Sequence, residues 1–264
     1  MTGFCRAEIP LWDGLSFFVD GNSKITASNG SYAEPEPNAF SLPHIATCPG
    51  STGRCRESCY VHGLKKHAPE VYRTYELNEM ALHCVLEHSE MARLAAGTLG
   101  TWIMAHASGG FRWHVSGDIF SFEYARWIAL VCGISEEVQH WIYTRTLSAV
   151  PYLSRVRNLA LNVSVDRHNL NRALETAKRW HARVCYLVSA PDEIIPDLPE
   201  GSVIFPDYPL RGRSLPIATE HAWWQALTIE QKRMVCPADF FGQSEQHRCG
   251  PCSKCLDVTT KGLQ

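Results

Sequence analysis

Seven of the eleven cysteines crowd into two stretches, and that crowding constrains the chain more than any other feature. Cys48, Cys55 and Cys59 stand in CPGSTGRCRESCYV, with gaps of six and three residues. Cys236, Cys249, Cys252 and Cys255 stand in CPADFFGQSEQHRCGPCSKCLD, with gaps of twelve, two and two. An odd total cannot pair completely into internal disulfides, and MTGFCRAEIPLWDGLSFF lacks the charged start and unbroken apolar run of a secretory signal. The expectation is a reduced, cytoplasmic protein whose clustered thiols serve as metal ligands or catalytic groups. Cys5, Cys84, Cys132 and Cys185 stand alone, the last three in ALHCVL, ALVCGI and VCYLV, where a buried small hydrophobe is expected.

The tail run presents three thiolates at three-residue intervals around Gly250 and Pro251, which favour a turn. Closely spaced thiolates of this kind hold three corners of a [4Fe–4S] cube, with a distant cysteine, here Cys236, as the fourth ligand. Structural zinc on the same four residues is the alternative, although zinc sites usually arrange their cysteines as two separated pairs. Cys48, Cys55 and Cys59 provide only three thiolates, so a cluster there would leave one iron open to a small molecule. The other readings are loop thiols, or ligands completing a mixed site with the tail.

The chain has 264 residues, 45% hydrophobic and 20% charged, enough for one globular domain with a sizeable core. A formal net charge of −2 argues against nucleic acid as the main partner, and no apolar stretch approaches the ~20 residues of a membrane span. Helical spacing is expected over 69–96, 122–132, 169–181 and 218–229, alternating with strand-like FRWHVSGD, HWIYTRT, LALNVSVD, RVCYLVSA, SVIFPDY and RMVCPA. That alternation makes the fold class α/β with a mainly parallel sheet. Within the strands, Arg112, His114, Ser116 and Asp118 share one face, as do Asn162, Ser164 and Asp166. A parallel sheet covered on both sides should be apolar on both faces. The expectation is therefore a partial (β/α) barrel with a polar inner face, or else an antiparallel sheet with one face in water. In a barrel the chemistry gathers at the carboxyl ends of the strands, near Asp118, Asp166 and Ser189. The expected organisation is an irregular or β-hairpin lead-in over 1–47, the partial barrel over 48–235, and a cysteine-rich tail over 236–264 packed onto it.

A three-cysteine loop ending in Cys59-Tyr60, then a long helix, then a strand ending in Ser116-Gly117-Asp118, resembles the layout of radical S-adenosylmethionine (radical SAM) proteins. The resemblance implies a cluster on the loop and S-adenosylmethionine held at the turn, with Asp118 as the carboxylate and Ser116, Gly117, Asn162 and Ser164 as cofactor contacts. This chain has C-x6-C-x3-C where those proteins typically have C-x3-C-x2-C, and Asp where their turn has Glu. CPG…C…CYV, VSGD, IYTRT and the terminal CPAD…C-x2-C-x2-C are similar to a family of actinobacteriophage proteins, over roughly residues 40 to 258. That likeness implies an iron–sulfur protein in an infected host cytoplasm. His114 and Asp118 are candidate acid–base groups, and Arg145 a clamp for a carboxylate or phosphate. The leading reading is an iron–sulfur protein acting on a small-molecule substrate in a polar cavity. The alternative is a metal-stapled interaction protein that binds a host or phage macromolecule.

Overall fold

Period-two alternation resolves into eight strands in a computed structural model that describes residues 6–21, 37–107, 109–188, 190, 192–206, 222–241 and 249–256. β1 (Arg6–Pro10), β2 (Ser16–Gly21) and β3 (Pro37–Phe40) pair antiparallel. From β3 onward the pairing is parallel, through β4 (Phe111–Trp113), β5 (His140–Thr144), β6 (Leu159–Val165), β7 (Arg183–Val188) and β8 (Val203–Pro206). Order along the sheet equals order along the chain, so the sheet is open, with β1 and β8 at its two ends. The lead-in belongs to this same sheet, and antiparallel pairing is confined to β1–β3.

Sequential order has a consequence for the faces. Right-handed crossovers, the rule between parallel neighbours, place every connecting helix on the same side of such a sheet. Accordingly Phe111, Trp113, Ile142, Leu161, Val163, Val184, Tyr186 and Val188 join the main core with the helices. Trp141 and Ala160, on the opposite face, form a separate small cluster with Tyr143 and Leu256 of the tail. The polar strand face expected from the sequence is thus covered by chain from elsewhere, and Asn162 on it is fully buried.

The helices are α1 (Gly53–Glu57), α2 (Val61–His67), α3 (Pro69–Leu86), α4 (Ser89–His106), α5 (Phe122–Ile134), α6 (Val150–Leu153) and α7 (Leu170–Arg179). Pro69 starts α3, where its missing N–H is no loss, and Val71, Tyr75, Asn78, Leu82 and Val85 line its buried stripe. The single helix expected over 69–96 is two, because His88 is extended (φ −129, ψ 124) and α4 then runs through Gly97. Neither Glu87 nor His88 is a strong breaker. The break instead lets α4 turn Ala95, Ala96, Leu99 and Ile103 into the core beside α5. Cys84 is exposed on α3, which corrects its expected burial, whereas Cys132 and Cys185 are buried.

The helix expected over 218–229 begins outside the described residues. It appears as Ala222–Ala226, then Ile229–Met234, whose start is fixed by a capping box between Thr228 and Gln231. RMVCPA contributes one isolated parallel bridge, Val235 to Ile204. Two further short helices, Pro237–Phe240 and Cys249–Cys252, carry the tail, and Cys5 and Ser189 lie outside the described residues. Among the described residues no helix is long and apolar enough to cross a membrane.

Candidate functional site

The segment after β3 crosses the carboxyl ends of the next strands and delivers the first cysteine group there. Leu42 N–H donates to the Ser116 carbonyl (2.9 Å), and His114 N–H to that of Phe40 (2.8 Å). Thr52 caps α1 by accepting from Cys55 N–H (3.1 Å), and its hydroxyl donates to Asp166 Oδ2 (2.6 Å) at the end of β6. Gly50 packs against the backbone after β5, where a Cβ would stand 2.2 Å from the Arg145 carbonyl oxygen. At the far end of the loop the Tyr60 hydroxyl donates to the Val115 carbonyl. The cysteine loop is therefore pinned to the ends of β4, β5 and β6.

Beneath it lies a cavity of about 220 Å³, lined by Cys48, Cys55, Cys59, His114, Ser116, Gly117, Asp118, Arg145 and Ser164, among others. Nine of the sequence-derived candidates therefore share one hollow. A second hollow of about 600 Å³ opens on the other side of the loop, bounded by Gly50, Arg145, His168 and Arg172. Burial pushes the Cys48 thiol up to about 12, and raises Cys55 and Cys59 as well. Left to themselves these thiols keep their protons.

The Ser116–Asp118 turn is shaped by two unusual backbones. β4 ends at Trp113 and His114 takes a left-handed conformation (φ 62), so the face shared by alternation stops there. Gly117 has φ 84, and a Cβ on it would meet Leu42 Cβ at 2.6 Å and Thr47 Oγ1 at 2.7 Å. His114 Nε2 pairs with the Tyr124 hydroxyl (2.9 Å), while its Nδ1 and Ser116 Oγ are buried with no hydrogen-bond partner among the described residues. Burial pushes the His114 imidazole down to about 3, with nearby Arg112 acting in the same sense, so it is neutral near pH 7.

Asp118 is committed to the protein. Its Oδ1 accepts from Thr144 Oγ1 (2.6 Å) and Ile119 N–H (2.7 Å), and its Oδ2 from Arg145 N–H (2.8 Å). Desolvation nevertheless raises its pKa against these bonds. Arg145 is likewise engaged: Nη1 donates to Asp166 Oδ2 at 2.8 Å, a pair with side chains 8% and 0% exposed. Sequence reading did not single out Thr52 or Thr144, whose partners lie 114 and 26 residues away. Nor did it find His44, which lines the cavity and bridges the Tyr72 hydroxyl and His62 Nδ1, each at 3.0 Å.

Asn162 and the tail cysteines stand apart from this cavity. Asn162 Nδ2 donates to the carbonyls of Ile142 (3.1 Å) and Cys255 (3.2 Å), and its Oδ1 accepts from Arg183 Nη1 (3.3 Å). Cys236, Cys249, Cys252 and Cys255 are all half-buried, and no disulfide joins the described cysteines. Among the described residues, no three His, Cys, Asp or Glu side chains are drawn together around a single-ion site.

Fold and site together define a mixed α/β protein with a thiol-lined cavity at the carboxyl ends of parallel strands. Within that class, the profile of the family described as Gene product 88 matches residues 16–258, and the chain belongs to that family. The Gene 88 protein of Mycobacterium phage L5 is 29% identical over 165 residues, 58% of this chain and 63% of the relative. The Gene 88 protein of Mycobacterium phage D29 is 29% identical over 166 residues, with the same shares. The chain thus spans less than two thirds of the length of these curated relatives. No solved structure shows significant similarity to it.

Proposed function

We propose that the protein binds a [4Fe–4S] cluster at Cys48, Cys55 and Cys59 and acts on a small molecule as a radical SAM-like enzyme, with β3–β8 serving as a partial (β/α) barrel. One observation carries this reading: three thiols from the loop after the first parallel strand line the same cavity as the Ser116–Asp118 turn after the second. The donor set fits. Burial disfavours bare thiolates here, and bound iron supplies the positive charge that compensates them. Thiolates on separate irons stand wider apart than ligands sharing one ion, which suits three cysteines spread around a hollow.

Such a cluster, when bound, supplies one electron for reductive cleavage of S-adenosylmethionine, with the iron lacking a thiolate available to the cofactor. The chain's own contribution is placement. Ser116 Oγ, His114 Nδ1 and Arg112 Nε, buried in cavity-lining residues, have capacity to hold the cofactor's polar groups. Asp118, with about four acceptor positions and three filled, keeps at most one for a ligand and mainly fixes the turn. Arg145, neutralised by Asp166, ties the loop and strand ends into one wall.

The test uses anaerobically prepared protein, reduced and mixed with S-adenosylmethionine. Release of 5′-deoxyadenosine and methionine, abolished by Cys55→Ser, is expected. Absence of both binding and cleavage by iron-loaded protein would remove the radical SAM reading. A second reading, zinc on the tail thiols stapling a surface for a host or phage macromolecule, is favoured by the seating of Cys255 on the sheet.

A further inference from the structure

The open face of the sheet carries a cysteine whose sequence surroundings suggest only packing. Cys185 is 2% exposed, yet it is not part of the main core: on β7 it alternates with Val184 and Tyr186, which face the helices. Its thiol therefore points to the face covered by the tail. There it meets the Cys255 thiol at hydrogen-bonding range and lies 3.8 Å from Asn162 Oδ1. The Tyr143 hydroxyl also reaches the Cys255 thiol.

Several independent contacts hold the tail in this position. Asn162 Nδ2 donates to the Cys255 carbonyl (3.2 Å), and Leu256 packs with Trp141 and Ala160. From the other side, Cys236 N–H donates to the Ile204 carbonyl (2.8 Å) just after Val235 bridges β8. That places Cys236 beside the strand neighbouring β7 and within electrostatic reach of Cys185. Arg112 and Arg183 both act on Cys255, and Arg112 also acts on Cys249. Thiols from β7, from the segment bridged to β8 and from the end of the tail thus lie near one another and near two guanidinium groups. Hydrophobic packing calls for no such convergence of sulfur, whereas a thiophilic metal does, and the guanidinium groups balance the charge of several thiolates.

We propose that Cys185 is a metal ligand: with Cys236 and Cys255 it forms a thiolate-ligated centre between sheet and tail, completed by Cys249 or Cys252 and separate from the Cys48–Cys55–Cys59 cavity. The described thiols do not close around one ion, which suits ligands spread over the separate irons of a [4Fe–4S] cluster. The cluster fastens the tail over β5–β7. The centre does not depend on the cluster reading for the cavity.

The test uses the full chain carrying Cys48→Ser, Cys55→Ser and Cys59→Ser, loaded in separate arms with zinc and with iron plus sulfide. This triple variant should retain iron and sulfide after desalting, whereas retention of zinc alone would overturn the cluster. Adding Cys185→Ser, which keeps a hydrogen-bonding group beside Asn162, should lower retention to background, as should adding Cys255→Ser. A second measurement leaves Cys185 in place: iodoacetamide labelling of Cys185 and Cys255 should slow together on metal loading and recover together with chelator. Full retention after Cys185→Ser, labelling of Cys185 that ignores the metal, or a triple variant that holds no metal would overturn the proposal. If the triple variant holds as much metal as the unmodified chain and loses it on Cys185→Ser, the tail centre stands and the cavity cluster fails.

Discussion

Asp118 occupies the position of a cofactor carboxylate, but its bonds to Thr144, Ile119 and Arg145 make it first a bracket between the ends of β4 and β5. Asp118→Ala strands buried donors, each at a cost of about 1–3 kcal/mol, so urea unfolding should show a loss of at least ~2 kcal/mol. Asp118→Asn, which keeps an acceptor oxygen, should lose less. The Ser-Gly-Asp signal was legible in the sequence because it is local; the bracket was not, because Thr144 lies 26 residues away. Two other buried groups set opposing pH trends. Burial holds Asp20 up at about 6, so the folded state keeps a proton the unfolded chain loses, and stability falls as pH rises from about 4 to about 6. Burial holds His140 down at about 4, so the folded state refuses a proton the unfolded chain accepts, and stability falls as pH drops from about 6.5 to about 4. Asp20→Asn should therefore steepen the acid loss of stability, and His140→Gln should flatten it. Urea midpoints between pH 4 and 7 measure both, and parallel profiles for all three proteins would contradict these burial effects.

At the scale of elements, the cysteine loop is held by what the strand ends present to it. Asp166 accepts from both Thr52 and Arg145, so Asp166→Ala frees the loop and leaves a buried guanidinium unpaired. Breaking a buried pair from one side typically costs about 3–5 kcal/mol, to be read from the denaturation midpoint. Gly50→Ala acts more locally: its methyl collides with the Arg145 carbonyl, so the loop must lift from β5. Reduced iron retention with near-normal far-UV circular dichroism is the expected signature. Strands and most helices were legible because period-two and helical spacing survive inside them. The split between α3 and α4 was not, because Glu87 and His88 carry no breaker signal and the turn serves contacts with α5. Cys185 shows the same limit from the other side. An apolar neighbourhood in sequence predicted burial correctly, but only the alternation along β7 and the path of the tail bring its thiol beside Cys255.

Across the whole molecule, six consecutive parallel strands in chain order put the helices on one side and gather thiols on the other side and at its upper rim. The family match over residues 16–258 spans both cysteine groups, so the cavity and the tail both fall within the part matched by the Gene product 88 family. Polar residues on alternate strand positions announced a lined face from sequence alone, although not which chain segment covers it. The central claim is the cluster at Cys48, Cys55 and Cys59. It is tested most directly by iron and acid-labile sulfide analysis of anaerobically purified protein beside its Cys48→Ser, Cys55→Ser, Cys59→Ser variant. Equal amounts of iron and sulfide in the unmodified chain, with a share of both lost in the variant, are predicted; a colourless protein without iron, or a variant with an undiminished content, would contradict the account.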